Sequence, residues 1–270
     1  MLRVKLALVV CVLVMCGTAR GQLVEKFEPV KTGCCLAGTA KSLADQLQDW
    51  NQLGRYHDAN EELKTQPADA KRVVFMGDSI TDMWKLGNSF PGKPYVNRGI
   101  GGQTTAQMLV RMFPDVIDLK PAAVIILAGT NDVAQNTGPE TVTMVQENLM
   151  AMTDLAQKHG IQVILCSVLP ISDYEPMPVG RGNPPPPAEG PRQKLIQSTR
   201  RPPSQIVQLN EWLKKYTASV GATYADYFSA VVDEKGMLKE GYSNDGLHPN
   251  EKGYALMAPV AGAAIGEAVK

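Results

Sequence analysis

Residues 73–82 read VVFMGDSITD, and this stretch decides the fold expected for the whole chain. Its first four residues are apolar, which is typical of a strand buried on both faces of a parallel sheet. Gly77 and Asp78 end that strand, and Ser79 stands at the turn into a short helix predicted over residues 80–86. Open α/β sheets place their chemistry at the carboxyl ends of such strands, where a helix start can also face an anion. Ser79 is therefore either a candidate nucleophile or only the residue that caps the helix.

The rest of the chain repeats the order of strand, loop and helix. Further strands are predicted over residues 95–97, 122–128, 162–168 and 222–226, and further helices up to residue 113 and over residues 139–159, 206–220 and 250–269. This alternation predicts an α/β fold, with helices on both faces of a parallel sheet. A helical segment is also predicted over residues 43–63, bent near Gly54 and packed through an apolar face that includes Leu47, Trp50 and Leu53. His57 lies in that segment and is interpreted as a surface or half-packed residue, not a catalytic one.

The first 21 residues are predicted to form a secretory signal peptide. Two basic residues precede an apolar run of about ten residues, and a small-x-small cleavage site ends at Gly21. The run is too short to span a membrane, which takes a helix of about 20 residues. A secreted or periplasmic location after cleavage near Gly21 is therefore expected. A lipid anchor on Cys16 is the alternative, although the bulky Met15 before it fits that role poorly.

Charge and cysteine content argue against a nucleic acid partner, an anionic membrane surface and a metal site. The chain has 27 basic and 27 acidic residues, and removal of the signal peptide leaves 24 against 27. This balance does not favour nucleic acid or an anionic membrane surface as a partner. The sequence has no CxxC pair or His/Cys cluster typical of a metal site, and Cys166 is interpreted as a buried small hydrophobe. The roles of Cys34 and Cys35 and the oligomeric state stay open.

Candidate catalytic residues lie in four short stretches, each after a predicted strand or before the last helix. GDSI contains Ser79, GIGGQTT contains Gly102, GTND contains Asn131, and DGLHP contains Asp245 and His248. Each stretch alone is explained by a turn or a helix cap, but together they supply what acyl transfer needs. A serine nucleophile needs a base, for which His248 is the candidate, and Asp245 would hold its imidazole. The N–H groups of Ser79 and Gly102 and the amide of Asn131 would form the oxyanion hole.

In this order, the four stretches resemble the sequence blocks of the SGNH hydrolases, also called GDSL esterases and lipases. The resemblance covers residues 72–270 and is strongest to bacterial secreted esterases similar to platelet-activating-factor acetylhydrolase. It implies a three-layer α/β/α sandwich with a flavodoxin-like five-stranded parallel sheet, and esterase activity without a metal or cofactor. Many relatives carry Asp where this chain has Gln103. The resemblance therefore does not say how this loop is supported.

These observations divide the chain into a signal peptide (1–21), a loose leader (22–42), a helical extension (43–66) and an SGNH hydrolase domain (67–270). The domain carries a Pro-rich insert at residues 172–203, which is expected to lack regular structure and to border the active site. Its basic residues are expected to offer positive charge to an acidic sugar or a phosphate head group. They are Arg181, Arg192, Lys194, Arg200 and Arg201.

The predicted function is a serine esterase that hydrolyses short acyl esters, especially acetyl esters, through an acyl-serine intermediate. Small molecules and glycans are the expected ester substrates, with no nucleic acid partner and no stable membrane anchor. The first alternative is a lysophospholipase or thioesterase that acts on longer acyl chains. A catalytically inactive module that binds glycans or lipids is the second. A nucleotide-binding flavodoxin-like protein is a weaker third, because GDSIT lacks a glycine-rich phosphate loop.

Overall fold

A computed structural model describes residue 44 and residues 47–67, 69–174 and 196–270 of the chain. At its centre is a parallel sheet with the strand order β2-β1-β3-β4-β5. The strands are β1 (Val73–Gly77), β2 (Tyr95–Gly99), β3 (Ala123–Leu127), β4 (Gln162–Cys166) and β5 (Thr223–Ala225). This strand order is that of flavodoxin-like sheets and confirms the predicted five-stranded parallel sheet. The predicted signal peptide and leader lie outside the described residues.

Helices cover both faces of this sheet. They are α1 (His57–Thr65), α2 (Ser79–Asp82), α3 (Leu86–Ser89), α4 (Thr105–Val110), α5 (Met112–Asp115), α6 (Thr130–Val133), α7 (Val142–Lys158), α8 (Gln197–Arg200), α9 (Pro203–Ser219), α10 (Tyr227–Val231) and α11 (Glu251–Ala268). The helices α4, α5, α7 and α9 pack on the face that carries Val74 and Met76 of β1. The helices α2, α3, α10 and α11 pack on the face that carries Val73 and Phe75. This confirms the three-layer α/β/α sandwich.

The helix after β1 differs from the one predicted over residues 80–86. Ser79 is its first residue, and the cap is Asp78, whose Oδ1 accepts the N–H of Ile80 at 2.9 Å. The helix α2 ends at Asp82, and α3 begins at Leu86. The side-chain amide of Asn97 donates to the carbonyls of Thr81 at 2.6 Å and Trp84 at 3.1 Å. These bonds occupy the carbonyl groups that a continuing helix would use.

The helical segment predicted over residues 43–63 is interrupted, and its apolar face is not packed as expected. A 3₁₀ turn, Leu53–Tyr56, precedes α1. The Asp49 carboxylate accepts the N–H of Leu53 at 2.8 Å, which gives the new helical turn a start of its own. Leu47 and Trp50 are 82% and 52% exposed. The predicted packing through apolar residues is therefore wrong.

Polar contacts hold this extension in place instead. The buried side chain of Asn60 donates to Asp115 Oδ1 at 2.6 Å and accepts from Arg98 Nε at 2.8 Å. The hydroxyl of Tyr56 donates to the carbonyl of Gly99, the last residue of β2. Hydrogen bonds to charged groups typically contribute about 1.5–3 kcal/mol each. The extension therefore attaches to the start of the loop that follows β2.

The insert at residues 172–203 is described only at its two ends, because residues 175–195 lie outside the described residues. Contrary to the prediction of irregular structure, its last part forms α8, and Pro203 is the first residue of α9. Proline is favoured at a first helical position because its missing N–H would have no helical partner there. Over the ranges that the structure describes, no helix is both long and apolar enough to cross a membrane.

Candidate active site

Three of the four sequence stretches meet at one edge of the sheet. Gly77, the last residue of β1, pairs with Gly99 of β2 on one side and with Leu127 of β3 on the other. Because the strands are parallel, the loops that follow them leave the sheet side by side. A Cβ built on Gly101 would lie 3.7 Å from the Cβ of Ser79. The loop after β2 therefore runs beside the candidate nucleophile.

The fourth stretch completes a chain of hydrogen bonds to Ser79. The Oγ of Ser79 lies 2.8 Å from Nε2 of His248, and Nδ1 of His248 lies 2.6 Å from Oδ2 of Asp245. The other carboxylate oxygen of Asp245 accepts the N–H groups of His248 at 2.8 Å and Leu247 at 3.0 Å. Burial alone would raise the pKa of Asp245, but the hydrogen bonds from His248 hold it well below its usual range. A charged carboxylate thus faces the imidazole.

Backbone contacts fix the loop that carries Asp245 and His248. Gly246 has a φ of +75°, and its carbonyl accepts the N–H of Ser172 at 2.7 Å. The side-chain amide of Gln197 donates to the carbonyl of Asp245 at 3.0 Å. Both partners lie in the described ends of the predicted insert, which therefore help to position the loop that bears the imidazole.

The predicted oxyanion residues also lie together. Gly102 has a φ of +83°, which favours glycine, and its carbonyl accepts from the Asn136 side chain at 3.0 Å. The Nδ2 of Asn131, a buried residue in α6, donates to the carbonyl of Gln103 at 3.0 Å. The amide of Asn131 therefore sits against the loop that carries the N–H of Gly102.

Gln103 supports this loop by bridging two different partners. Its side chain is 1% exposed, its Nε2 donates to the carbonyl of Asn51 at 2.9 Å, and its Oε1 accepts from Arg111 Nε at 2.8 Å. A side-chain amide both donates and accepts, whereas an ionised carboxylate only accepts. Glutamine therefore suits a position between a backbone carbonyl and a guanidinium. The bond to Asn51 also links the N-terminal extension to the oxyanion loop.

Arg201 is buried beside Asn131, contrary to the prediction from the sequence. It was expected to offer surface charge to a substrate, but it is 4% exposed, and its Nη2 donates to Oδ1 of Asn131 at 3.2 Å. The expected role is wrong for Arg201, because its guanidinium is used inside the protein. Its neighbour Arg200 is exposed and donates to Asn136 Oδ1 at 2.9 Å. The other basic residues of the insert lie outside the described residues.

Two buried carboxyl groups lie next to the candidate residues. Burial raises the pKa of Asp78 to about 6, and the hydrogen bond from Ile80 only partly offsets this. Burial also raises the pKa of Asp132, whose Oδ1 accepts the N–H of Thr105 at 2.9 Å. Asp132 thereby ties the start of α4 to α6, the helix that carries Asn131.

The other histidines and Cys166 lie apart from this site. His57 is exposed beside Asp58, as predicted, and His159 follows α7 and contacts Phe113. Cys166 is buried in β4, as predicted, and burial raises the pKa of its thiol. Within the described ranges, no three His, Cys, Asp or Glu side chains are grouped as metal ligands.

Comparison with known proteins identifies the family of the chain. The model of the GDSL-like lipase/acylhydrolase family matches residues 75–256. A Bacteroides fragilis protein assigned as an acylhydrolase is 36% identical, covers 82% of this chain and 99% of its own, and superposes with a TM-score of 0.70.

Two curated relatives match over shorter stretches. The uncharacterised lipoprotein YqeF of Bacillus subtilis is 43% identical over 79 residues, which are 28% of this chain and 32% of YqeF. Esterase TesA of Pseudomonas aeruginosa is 31% identical over 128 residues, which are 42% of this chain and 62% of TesA. The chain thus spans less than two thirds of either curated relative. The family model and the structural relative, which cover most of this chain, show that the chain belongs to the GDSL-like lipase/acylhydrolase family of carboxylic ester hydrolases.

Proposed function

We propose that this protein is a serine esterase that cleaves short acyl esters through a covalent acyl-serine intermediate. The observation that carries the proposal is the continuous hydrogen-bond chain from Ser79 through His248 to Asp245. A hydroxyl at hydrogen-bond distance from an imidazole that a carboxylate orients is the arrangement of an activated nucleophile. The roles below are part of the proposal.

In the acylation step, Ser79 Oγ attacks the ester carbonyl carbon, while Nε2 of His248 takes the serine proton. The carbonyl oxygen becomes an oxyanion, which the N–H groups of Ser79 and Gly102 and the side chain of Asn131 stabilise. Collapse of this intermediate breaks the bond to the alcohol. The imidazolium gives its proton to the leaving oxygen, so the acyl group stays on the serine.

In the deacylation step, a water molecule takes the place of the alcohol. His248 Nε2 removes a proton from the water, and the resulting hydroxide attacks the acyl carbon. The acid leaves, and Ser79 Oγ recovers its proton from the imidazolium. Throughout, Asp245 holds Nδ1 as the protonated nitrogen of the ring and stabilises its positive charge.

A cavity lies beside the site. A cavity of about 880 Å³ adjoins the loop of Asp245 and His248, lined there by Asn244 and Pro249. Its walls combine the apolar surfaces of Met83 and Tyr254 with amide and ammonium groups, among them Lys252. A mixed lining of this kind is usual for a small-molecule site, so the cavity is a candidate place for part of the substrate. The short acyl group and the glycan esters are parts of the proposal that rest on the sequence and that the ester panel tests.

A panel of p-nitrophenyl esters from acetyl to palmitoyl, run beside acetylated glycans and a lysophospholipid, tests this function. We expect the highest kcat/KM with acetyl and a steady fall as the acyl chain lengthens. A maximum at long acyl chains would favour the lysophospholipase or thioesterase alternative. No turnover of any ester by the wild-type protein would favour the inactive binding module.

We further propose that the protein is exported with its first 21 residues removed. The family relative YqeF is named as a lipoprotein, which supports export but also keeps the lipid anchor on Cys16 as the alternative. The intact mass of the protein made with its full N-terminus decides between them. A mass equal to that of a chain that begins at Gln22 supports cleavage after Gly21. A lipid-modified mass that is no longer seen in Cys16→Ala would overturn the proposed cleavage.

A further inference from the structure

Arg201 is a buried arginine that bonds only to uncharged groups in the part of the chain that the structure describes. Its Nε lies 3.2 Å from both the carbonyl and the hydroxyl oxygen of Thr130. Its Nη1 donates to Gln197 at 3.1 Å and its Nη2 to Asn131 at 3.2 Å. A buried guanidinium usually pairs with a carboxylate, because an unpaired buried charge is costly. Arg201 instead donates to neutral partners beside the oxyanion hole, while the carboxylates of Asp78 and Asp245 act on it electrostatically without a hydrogen bond, which points to a role at this site.

The hydrogen bonds of the Asn131 amide show what Arg201 does to it. A side-chain amide offers two N–H donors and one carbonyl acceptor. The carbonyl oxygen of Asn131 accepts from Arg201, and one N–H donates to the carbonyl of Gln103. One N–H is therefore left for a substrate oxygen. If the amide were flipped, its NH₂ group would face the guanidinium N–H, so Arg201 keeps the donor on the side of Gln103 and Gly102.

The charge of Arg201 also acts through this bond. Burial and the nearby Arg200 lower its pKa to about 10, which still leaves the guanidinium charged at neutral pH. A cation bonded to an amide oxygen draws electron density from the amide and makes its N–H a stronger donor. Asn131 therefore stabilises the negative charge that develops on a substrate oxygen in the transition state more than it stabilises the ground-state carbonyl.

We propose that Arg201 is a positioning residue for the oxyanion hole, which fixes the orientation of the Asn131 amide and strengthens the donor that it presents. This inference rests on the proposed function of Asn131. It assigns a role in catalysis to a residue near the end of the insert that touches no reacting atom. It also accounts for the hydrogen bonds from Arg200 and Arg201, at the end of α8, to residues of α6 and the residue after it.

The first test replaces the guanidinium by a neutral side chain of similar length, Arg201→Met. We expect kcat for p-nitrophenyl acetate to fall about 10- to 100-fold, less than the roughly 10²–10³-fold typical for loss of a direct oxyanion donor, with KM nearly unchanged. The matched control is Arg72→Met, because Arg72 is also buried, at 6% exposure, and donates to the carbonyl of Leu119 at 2.6 Å away from the site. The control should lose stability but keep its kcat.

The second test asks whether Arg201 acts through Asn131. In a double-mutant cycle, Arg201→Met should lower kcat less than about twofold in a protein that already carries Asn131→Ala. Addition of millimolar methylguanidine should restore part of the kcat of Arg201→Ala, but not that of the double variant Arg201→Ala/Asn131→Ala. A purely structural role for Arg201 would show neither effect. If Arg201→Met does not fold, Arg201→Lys and the methylguanidine experiment still test the proposal.

Two outcomes would overturn the inference. One is an unchanged kcat in Arg201→Met, and the other is an equal loss of kcat with and without Asn131. Failure of the proposed function looks different, because Ser79→Ala or Asn131→Ala would then keep wild-type kcat. A strongly reduced kcat in Ser79→Ala and Asn131→Ala beside a wild-type kcat in Arg201→Met would overturn only the role of Arg201.

Discussion

The substitution Asp245→Asn separates the charge of this residue from its place in the loop. Asparagine keeps one oxygen that can accept the N–H groups of Leu247 and His248, which now bond to Asp245 Oδ1 at 3.0 and 2.8 Å. Its NH₂ group, however, replaces Oδ2, which lies 2.6 Å from His248 Nδ1. A donor there requires a lone pair on Nδ1, which moves the ring proton to Nε2. The imidazole then faces Ser79 with a donor and cannot take its proton.

The expected loss follows from this tautomer. Loss of the orienting carboxylate in an enzyme of this kind lowers kcat about 10⁴-fold, which at about 1.36 kcal/mol per tenfold corresponds to roughly 5.5 kcal/mol of transition-state stabilisation. The assay is the steady-state hydrolysis of p-nitrophenyl acetate, with circular dichroism to confirm the fold. The matched control is Asp226→Asn, because Asp226 also accepts a backbone N–H, that of Ser229 at 3.0 Å, but lies away from His248. The control should keep kcat within about twofold, and a kcat above a tenth of wild type in Asp245→Asn would refute the tautomer argument.

Three further predictions concern stability. Asn60→Ala should lower the free energy of unfolding, measured in urea, by about 3 kcal/mol, because Asp115 and Arg98 each lose a buried hydrogen bond. A loss below about 1 kcal/mol would contradict the anchoring role of Asn60. Gly246→Ala would place a Cβ 2.1 Å from the carbonyl oxygen of Ser172 at a φ of +75°, so both the melting temperature and kcat should fall, and a variant with wild-type kcat would be unexpected. Asp78→Asn tests the carboxyl pKa of about 6, which lies above its ordinary value of 3.8. Because the native state holds this proton more tightly than the unfolded state, wild-type stability falls as pH rises from about 4 to 6. The stability of the variant relative to wild type should therefore rise by about 2.4 kcal/mol between pH 4 and 7, whereas a constant difference would contradict the raised pKa.

Most of the sheet and its catalytic edge could be predicted from the sequence. Strands buried on both faces leave continuous apolar runs, as at residues 73–76 and 123–127, and these runs need no long-range information to be recognised. The candidate residues follow the ends of those strands, so their convergence follows from a parallel sheet. The predicted pairing of Ser79 with His248 across 169 residues rested on the chemistry of the two residue types.

What the sequence did not reveal depends on partners that are distant along the chain. Asn60 is polar, yet it is buried because Arg98 and Asp115 satisfy its side chain, and the backbone carbonyl of the buried Asn51 accepts a hydrogen bond from Gln103. The helical spacing of apolar residues predicts that they are buried, so Trp50 is expected in the packed face of the helical extension, whereas it is exposed. In the same way, a basic residue in a Pro-rich stretch is expected at the surface. Arg201 is buried because Thr130, Gln197 and Asn131, which the sequence does not place beside it, accept its hydrogen bonds.

Covalent labelling of Ser79 tests the central claim most directly. The native protein is incubated with a fluorophosphonate, its intact mass is measured, and the modified peptide is sequenced by mass spectrometry. We expect one adduct, on Ser79, with parallel loss of esterase activity, and no adduct on Ser79→Ala or on a denatured sample. Stoichiometric labelling of a different residue, or full activity in a protein whose Ser79 is fully modified, would contradict this claim.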